Sequence, residues 1–175
     1  MATVLMIIAH DGFRDEELFL TREELEKGGH KTVIASVAKG VCRGSRGGSA
    51  SATISLAEIR AEHYEAAVFV GGGGSRVYFT ERDALRIAAE MAGQGKVVAA
   101  ICVAPVILAN AGLLHGKKAT VYASEVKAIE AKGAKYTGAG VTVDSNIVTG
   151  DGPKSARLFG QKISELLQGQ DSPGR

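Results

Sequence analysis

Residues 96–114 read KVVAAICVAPVILANAGLL. The stretch 96–101 is apolar, β-branched and of strand length, which predicts a buried strand. Pro105 then opens 105–112, a segment expected to be helical because proline is tolerated in a helix's first turn. The handover leaves Cys102 on the turn between strand and helix. The same unit recurs in both directions. Upstream, YEAAVFVGG (64–72) predicts a strand ending in glycines, and ERDALRIAAEMAGQG (81–95) a helix with a glycine stop. TVLMIIA (3–9) and KTVIASV (31–37) predict strands around an acid-loaded helix at 15–29. Downstream, a short strand at 118–123 precedes a helix at 124–133 with Ser124 as its N-cap, and GVTVDSNIVTG (140–150) predicts two strands about a tight turn. The last helix is expected at 153–168. The Gly/Ser-rich region 38–55 is expected to be a loop or a small hairpin outside the main sheet. Apolar strands alternating with helices imply an α/β fold: a doubly wound, mostly parallel sheet with helices on both faces. The length supports one domain, 1–168, followed by a disordered tail, 169–175.

The net charge of +2 comes from scattered lysines and arginines, with no basic stripe for nucleic acid or an anionic membrane. The first apolar run is cut short by His10 and Asp11 and lacks the features of a secretory signal. A cytoplasmic location is therefore expected, with Cys42 and Cys102 as thiols rather than a disulfide. No Cys, His or carboxylate spacing suggests a metal site, and no cofactor is expected.

In doubly wound sheets, ligands bind at the carboxyl ends of the strands, so the strand-end junctions carry the candidate chemistry. At Cys102, N–H groups at the start of a helix would favour a thiolate and could hold an oxyanion. The alternative is a small buried residue that ends a strand. FVGGGGSR (69–76) lets the backbone approach a ligand, but it lacks both the Gly-Lys-Ser/Thr and the G-x-G-x-x-G phosphate patterns. It is either an oxyanion partner for Cys102 or a plain turn. HDGFRDEEL (10–18) opens the first helix with acids. One of Asp15, Glu16 and Glu17 could turn back towards the thiol, and position alone does not separate them. His10 is the histidine expected nearest the strand ends; His30, His63 and His115 are expected in solvent.

Together, AAICVAPVILANAGLLHGKKAT, VFVGGGG and FRDEEL resemble the ThiJ/PfpI superfamily, within the class I glutamine amidotransferase-like group. It includes the parkinsonism-associated protein deglycase, glyoxalase III enzymes and PfpI-type proteases. The resemblance spans residues 3 to about 168 and implies a flavodoxin-like fold and a homodimer or larger assembly. It implies Cys102 as the reactive cysteine and Glu17 as its hydrogen-bonded glutamate. Gly72, Gly73 and the Val103 N–H would be the backbone donors. Tyr122 stands where the family carries His or Tyr, and Arg46 matches an arginine that approaches the site from a partner in some relatives. The departure is Val103, where the proteases carry the dyad histidine. Three functions follow as expectations. The first is a cysteine-dependent glyoxalase III or deglycase-like enzyme, serving in stress response and taking methylglyoxal, another small aldehyde or early adducts. The second is a non-enzymatic protein oxidised at Cys102, whose partner is an oxidant. The third is an intracellular cysteine peptidase.

Overall fold

The computed structural model describes residues 1–171. The chain forms β1 (Thr3–Ile7), β2 (Asp11–Phe13), α1 (Asp15–Lys27), β3 (Lys31–Ser36), β4 (Gly40–Gly44), β5 (Ser49–Ala52) and β6 (Ile54–Ser55). Then come β7 (Ala66–Phe69), α2 (Arg82–Gly93), β8 (Val97–Ile101), α3 (Pro105–Asn110), β9 (Lys118–Ala119), α4 (Val126–Glu130) and β10 (Lys135–Tyr136). The strands β11 (Val141–Asp144) and β12 (Ile147–Gly150) and the helix α5 (Ala156–Asp171) complete it.

The main sheet has the order β11-β12-β8-β7-β1-β3-β6. All its pairings are parallel except the β11–β12 hairpin. This is the flavodoxin-like α/β architecture. Every residue of β7 and β8 is buried, as a parallel strand covered on both faces requires. One face packs Leu5, Ile7, Phe69 and Ile107 with α2 and α3; the other packs Met6, Leu18, Leu25 and Phe159 beneath α1 and α5. The strand order reverses beside β1, whose neighbours are β3 and β7. The crevice at their carboxyl ends is where this topology places a ligand.

Several local readings change. The region 38–55 does contain a hairpin, β4–β5, joined by β2 into a separate small sheet, but Ile54–Ser55 add an edge strand to the main sheet. The strand expected at 118–123 is only Lys118–Ala119 and pairs with β10, outside the main sheet. Ser124 caps nothing: its hydroxyl donates to the Glu125 carboxylate within a 3₁₀ turn, and α4 begins later. Helix α5 continues to Asp171, so 169–171 are helical rather than tail, and the rest of the expected tail lies outside the described residues. His30 is buried: Nδ1 accepts the Ala2 N–H at 3.2 Å, and Nε2 lies 3.1 Å from Ser164 Oγ. Its fixed place between the N-terminal strand and α5 follows from contacts that are remote in sequence. Both cysteines are free thiols. Among the described residues no helix is long and apolar enough to cross a membrane.

Candidate active site

Strand β8 ends at Ile101, and the chain turns at Cys102 with φ 65, the left-handed region that a side chain rarely adopts. Two hydrogen bonds hold it there. Its N–H donates to the Gly150 carbonyl at 2.9 Å, and its carbonyl accepts the Tyr122 N–H at 2.8 Å. The cost of such a conformation is about 1–3 kcal/mol. The gain is position: the thiol stands at the crevice, 8% exposed, on backbone fixed from both sides.

Glycines bring the next groups in. A Cβ on Gly71 would stand 2.5 Å from Glu17 Oε1, Cys102 Cβ and the Ile101 carbonyl oxygen. Gly72 takes φ 105, and a Cβ there would meet the Arg14 nitrogen and the Gly12 oxygen at 2.5 Å. The Arg14 N–H donates to the Gly71 carbonyl at 2.9 Å, tying the start of α1 to this turn. The 3₁₀ segment that follows, Gly73–Tyr78, is held by the buried Tyr78 hydroxyl, which donates to the Ile8 carbonyl at 2.8 Å and accepts the Val37 N–H at 3.1 Å.

The three acids at the start of α1 now separate. Asp15 accepts the Arg46 and Gly48 N–H groups at 2.9 and 2.7 Å and so holds the β4–β5 loop. Glu16 accepts from the Arg14 guanidinium at 3.0–3.3 Å. Glu17 is fully buried and turns back to Cys102. Neither of its oxygens has a partner at full hydrogen-bond geometry; the Cys102 thiol and the Gly71 N–H are the polar groups beside it. Burial pushes the Glu17 carboxyl up to about 8, so it is largely protonated at neutral pH.

Burial also pushes the Cys102 thiol up, to about 12, with the negative charge of Glu17 adding to the shift. The Gly72 and Val103 N–H groups oppose it and do not prevail. Burial therefore disfavours the thiolate expected from the helix start. The short α3 begins three residues on, and only Val103 of that turn contributes an N–H to the sulfur.

These groups face a cavity of ≈ 650 Å³ lined by Cys102, Glu17, Gly72, Gly73, Val103 and Tyr122. His10 is exposed at the surface and does not line the cavity; Arg46, expected to approach from a partner, is exposed and outside this chain's own lining. Arg14, Arg76, Tyr136, Asp151 and Lys154 line it without having been anticipated. Asp151 and Lys154 follow the end of β12, so the strand-end rule applied to that junction would have found them. Among the described residues no cluster of three or more His, Cys, Asp or Glu side chains is placed to hold a metal ion.

A model of the DJ-1/PfpI family matches residues 2–166. An uncharacterized protein of Methanocaldococcus jannaschii is 40% identical over 170 residues, 95% of this chain and 83% of that one. The deglycase PfpI of Pyrococcus furiosus is 32% identical over 165 residues, 94% of this chain and 99% of that one. Among solved structures, a ThiJ/PfpI domain protein from Brachyspira murdochii superposes with a TM-score of 0.94 at 29% identity, covering 95% of this chain and 96% of that one.

Proposed function

This chain belongs to the DJ-1/PfpI family, and we propose that it is a cysteine-dependent, deglycase-like enzyme acting on methylglyoxal, related small aldehydes or their early adducts. The observation that carries this reading is the pairing of a fixed cysteine with a buried, protonated carboxyl at one end of a cavity. The name of the Pyrococcus furiosus relative supports the same class.

In this mechanism Glu17 and Cys102 hold their protons as a pair. The carboxyl gives up its proton before the thiol does, and the Glu17 carboxylate then takes the Cys102 proton as the sulfur attacks. The sulfur adds to the aldehyde carbon, and the C=O π pair moves to oxygen, which takes the proton from Glu17. The Gly72 and Val103 N–H groups stabilise the charge that develops there. The Glu17 carboxylate then removes the proton from the former aldehyde carbon and returns it to the adjacent carbon, while the hydroxyl proton passes from the former aldehyde oxygen to the neighbouring oxygen. The product is the thioester of an α-hydroxy acid. Water hydrolyses it, releasing lactate and the thiol.

The test is lactate formation from methylglyoxal by the wild type, Cys102→Ala and Glu17→Gln. Turnover abolished in the first and strongly reduced in the second is expected. Turnover that survives in Cys102→Ala ends the reading.

A second reading, oxidation of Cys102 to a sulfinate, draws support from the same donors: a protonated Glu17 and two N–H groups suit an oxygenated sulfur. Intact mass after mild peroxide tests it; a stable gain of two oxygens confined to Cys102 is its signature. The peptidase reading lacks a base, since Val103 stands where the proteases carry the dyad histidine and no histidine among the described residues lines the cavity.

The proposal includes cytoplasmic location, a role in stress response and assembly as a homodimer or larger, through which a partner's arginine at position 46 would reach the site. Light scattering measures the assembly.

A further inference from the structure

The cavity that holds the reacting pair is also lined by cations, and their charge has no task in carbonyl addition to a neutral aldehyde. Arg14, Arg76 and Lys154 all line it. Of the two carboxyls in the lining, Glu17 is largely protonated at neutral pH, which leaves Asp151, whose Oδ1 accepts the Ser155 hydroxyl at 2.7 Å.

The three cations are not equally free. Arg76 is paired with Glu125 at 3.3 Å and lies over the Phe79 ring at 5.7 Å. Arg14 spends Nε and Nη2 on Glu16, so among the described residues its Nη1 has no partner. Its side chain is 26% exposed, and it lies close enough to Glu17 and Cys102 for their charges to act on it. Lys154 is exposed and has no partner among the described residues.

We propose that Arg14 and Lys154 form an anion subsite beside Cys102, so that the preferred substrate is an α-oxoaldehyde carrying a carboxylate or a phosphate rather than methylglyoxal. This rests on the carbonyl-addition reading above. Arg14, already oriented by Glu16, is placed to donate Nη1 hydrogens to the anion while the aldehyde carbon reaches the sulfur; Lys154 adds charge at the mouth.

The subsite can be tested without turnover. Iodoacetate and iodoacetamide alkylate a thiolate by the same displacement and differ by one negative charge. The ratio of their rates therefore cancels the thiolate fraction, which any change at Arg14 also alters. Peptide mapping restricts the readout to Cys102. The expected ratio at Cys102 exceeds that of mercaptoethanol by about tenfold or more, the worth of a hydrogen bond to a charged group. It falls towards the mercaptoethanol ratio in Arg14→Gln and by a smaller factor in Lys154→Gln. Lys154 is exposed, so that variant keeps the test meaningful should Arg14→Gln fold poorly. A ratio equal to that of mercaptoethanol, or one indifferent to both substitutions, overturns the subsite.

Turnover then separates the two anions. Dioxovalerate would yield hydroxyglutarate, and hydroxypyruvaldehyde phosphate would yield phosphoglycerate. Higher kcat/KM for either than for methylglyoxal supports the proposal and identifies the group; preference for methylglyoxal over both overturns it. A raised alkylation ratio with no turnover of any aldehyde counts against the enzymatic reading alone. Methylglyoxal turnover with an ordinary ratio counts against the subsite alone.

Discussion

The Glu17 carboxyl lies against Cys102 across the side chain that Gly71 does not have, its Oε1 and the Cys102 Cβ each 2.5 Å from where that Cβ would stand. Glu17 comes from the first turn of α1 and Cys102 from the end of β8. A buried carboxyl with no full hydrogen-bond partner is costly in its charged form, and this one avoids the cost by keeping its proton. The same proton is what a sulfur nucleophile needs beside it.

Replacing Gly71 by alanine tests how closely the pair must meet. The new methyl would overlap Glu17, Cys102 and the Ile101 carbonyl together, and two of the atoms concerned belong to or adjoin backbone. The pair must therefore separate. Displacement on the ångström scale costs about 100-fold in rate, so lactate formation in Gly71→Ala is expected to fall by about that factor or more. Near-wild-type turnover would show that contact between the two is unnecessary.

The raised Glu17 value makes stability depend on pH with a definite sign. Its ordinary value is 4.5 and its folded value about 8, so between these the folded chain keeps a proton that the unfolded chain has lost. Stability from this group is fully present below 4.5 and is lost as pH rises towards about 8. The slope is at most about 1.4 kcal/mol per pH unit. Glu17→Gln carries no such proton. In urea unfolding across that window, the variant is expected to gain on the wild type steadily as pH rises. A constant difference would mean that the buried carboxyl is ionised.

The conformation at Cys102 predicts an unusual order of stabilities. Alanine at 102 keeps the strain of φ 65, whereas glycine accepts that conformation freely. Relief of about 1–2 kcal/mol outweighs the roughly 0.5–1 kcal/mol that glycine costs through unfolded-chain freedom. Thermal unfolding is expected to place Cys102→Gly above Cys102→Ala, the reverse of the usual order. The usual order would mean that the turn relaxes when the thiol is removed.

The sheet was legible because its signals are local. The runs 3–9, 64–72 and 96–101 are apolar at strand length, and the helices between them carry stops and acid-loaded starts. The site was legible where strand ends coincide with special residues, as at Cys102 and the glycines from 71 onwards. What composition and spacing did not reach were choices made in three dimensions. Asp15, Glu16 and Glu17 are equivalent in sequence, and only the places of the β4–β5 loop, Arg14 and Gly71 tell them apart. The resemblance to relatives chose Glu17 before the geometry could. His30 went unread because its partners, Ala2 and Ser164, lie 28 and 134 residues away. Arg14 and Lys154 were passed over because single cations on loops carry no pattern.

Asp15 supplies a last test, since its role is now distinct from that of its neighbours. It is 8% exposed and anchors residues 46 and 48 through two N–H groups, beside Ser45, which lines the cavity. Removing the carboxylate takes the charged acceptor from both N–H groups, a loss of about 1–3 kcal/mol. A Cβ on Gly48 would stand 2.5 Å from Asp15 Oδ2, so Gly48→Ala disturbs the same contact from the other side. The two substitutions act on one interaction, and the double variant is expected to cost less than the sum of the singles. Amide exchange at Arg46 and Gly48 should accelerate in Asp15→Ala, while exchange in the β7 and β8 strands stays slow. Additive costs, or unchanged exchange at those two amides, would mean that the loop is held by its own hairpin and that Asp15 serves only as a helix-start acid.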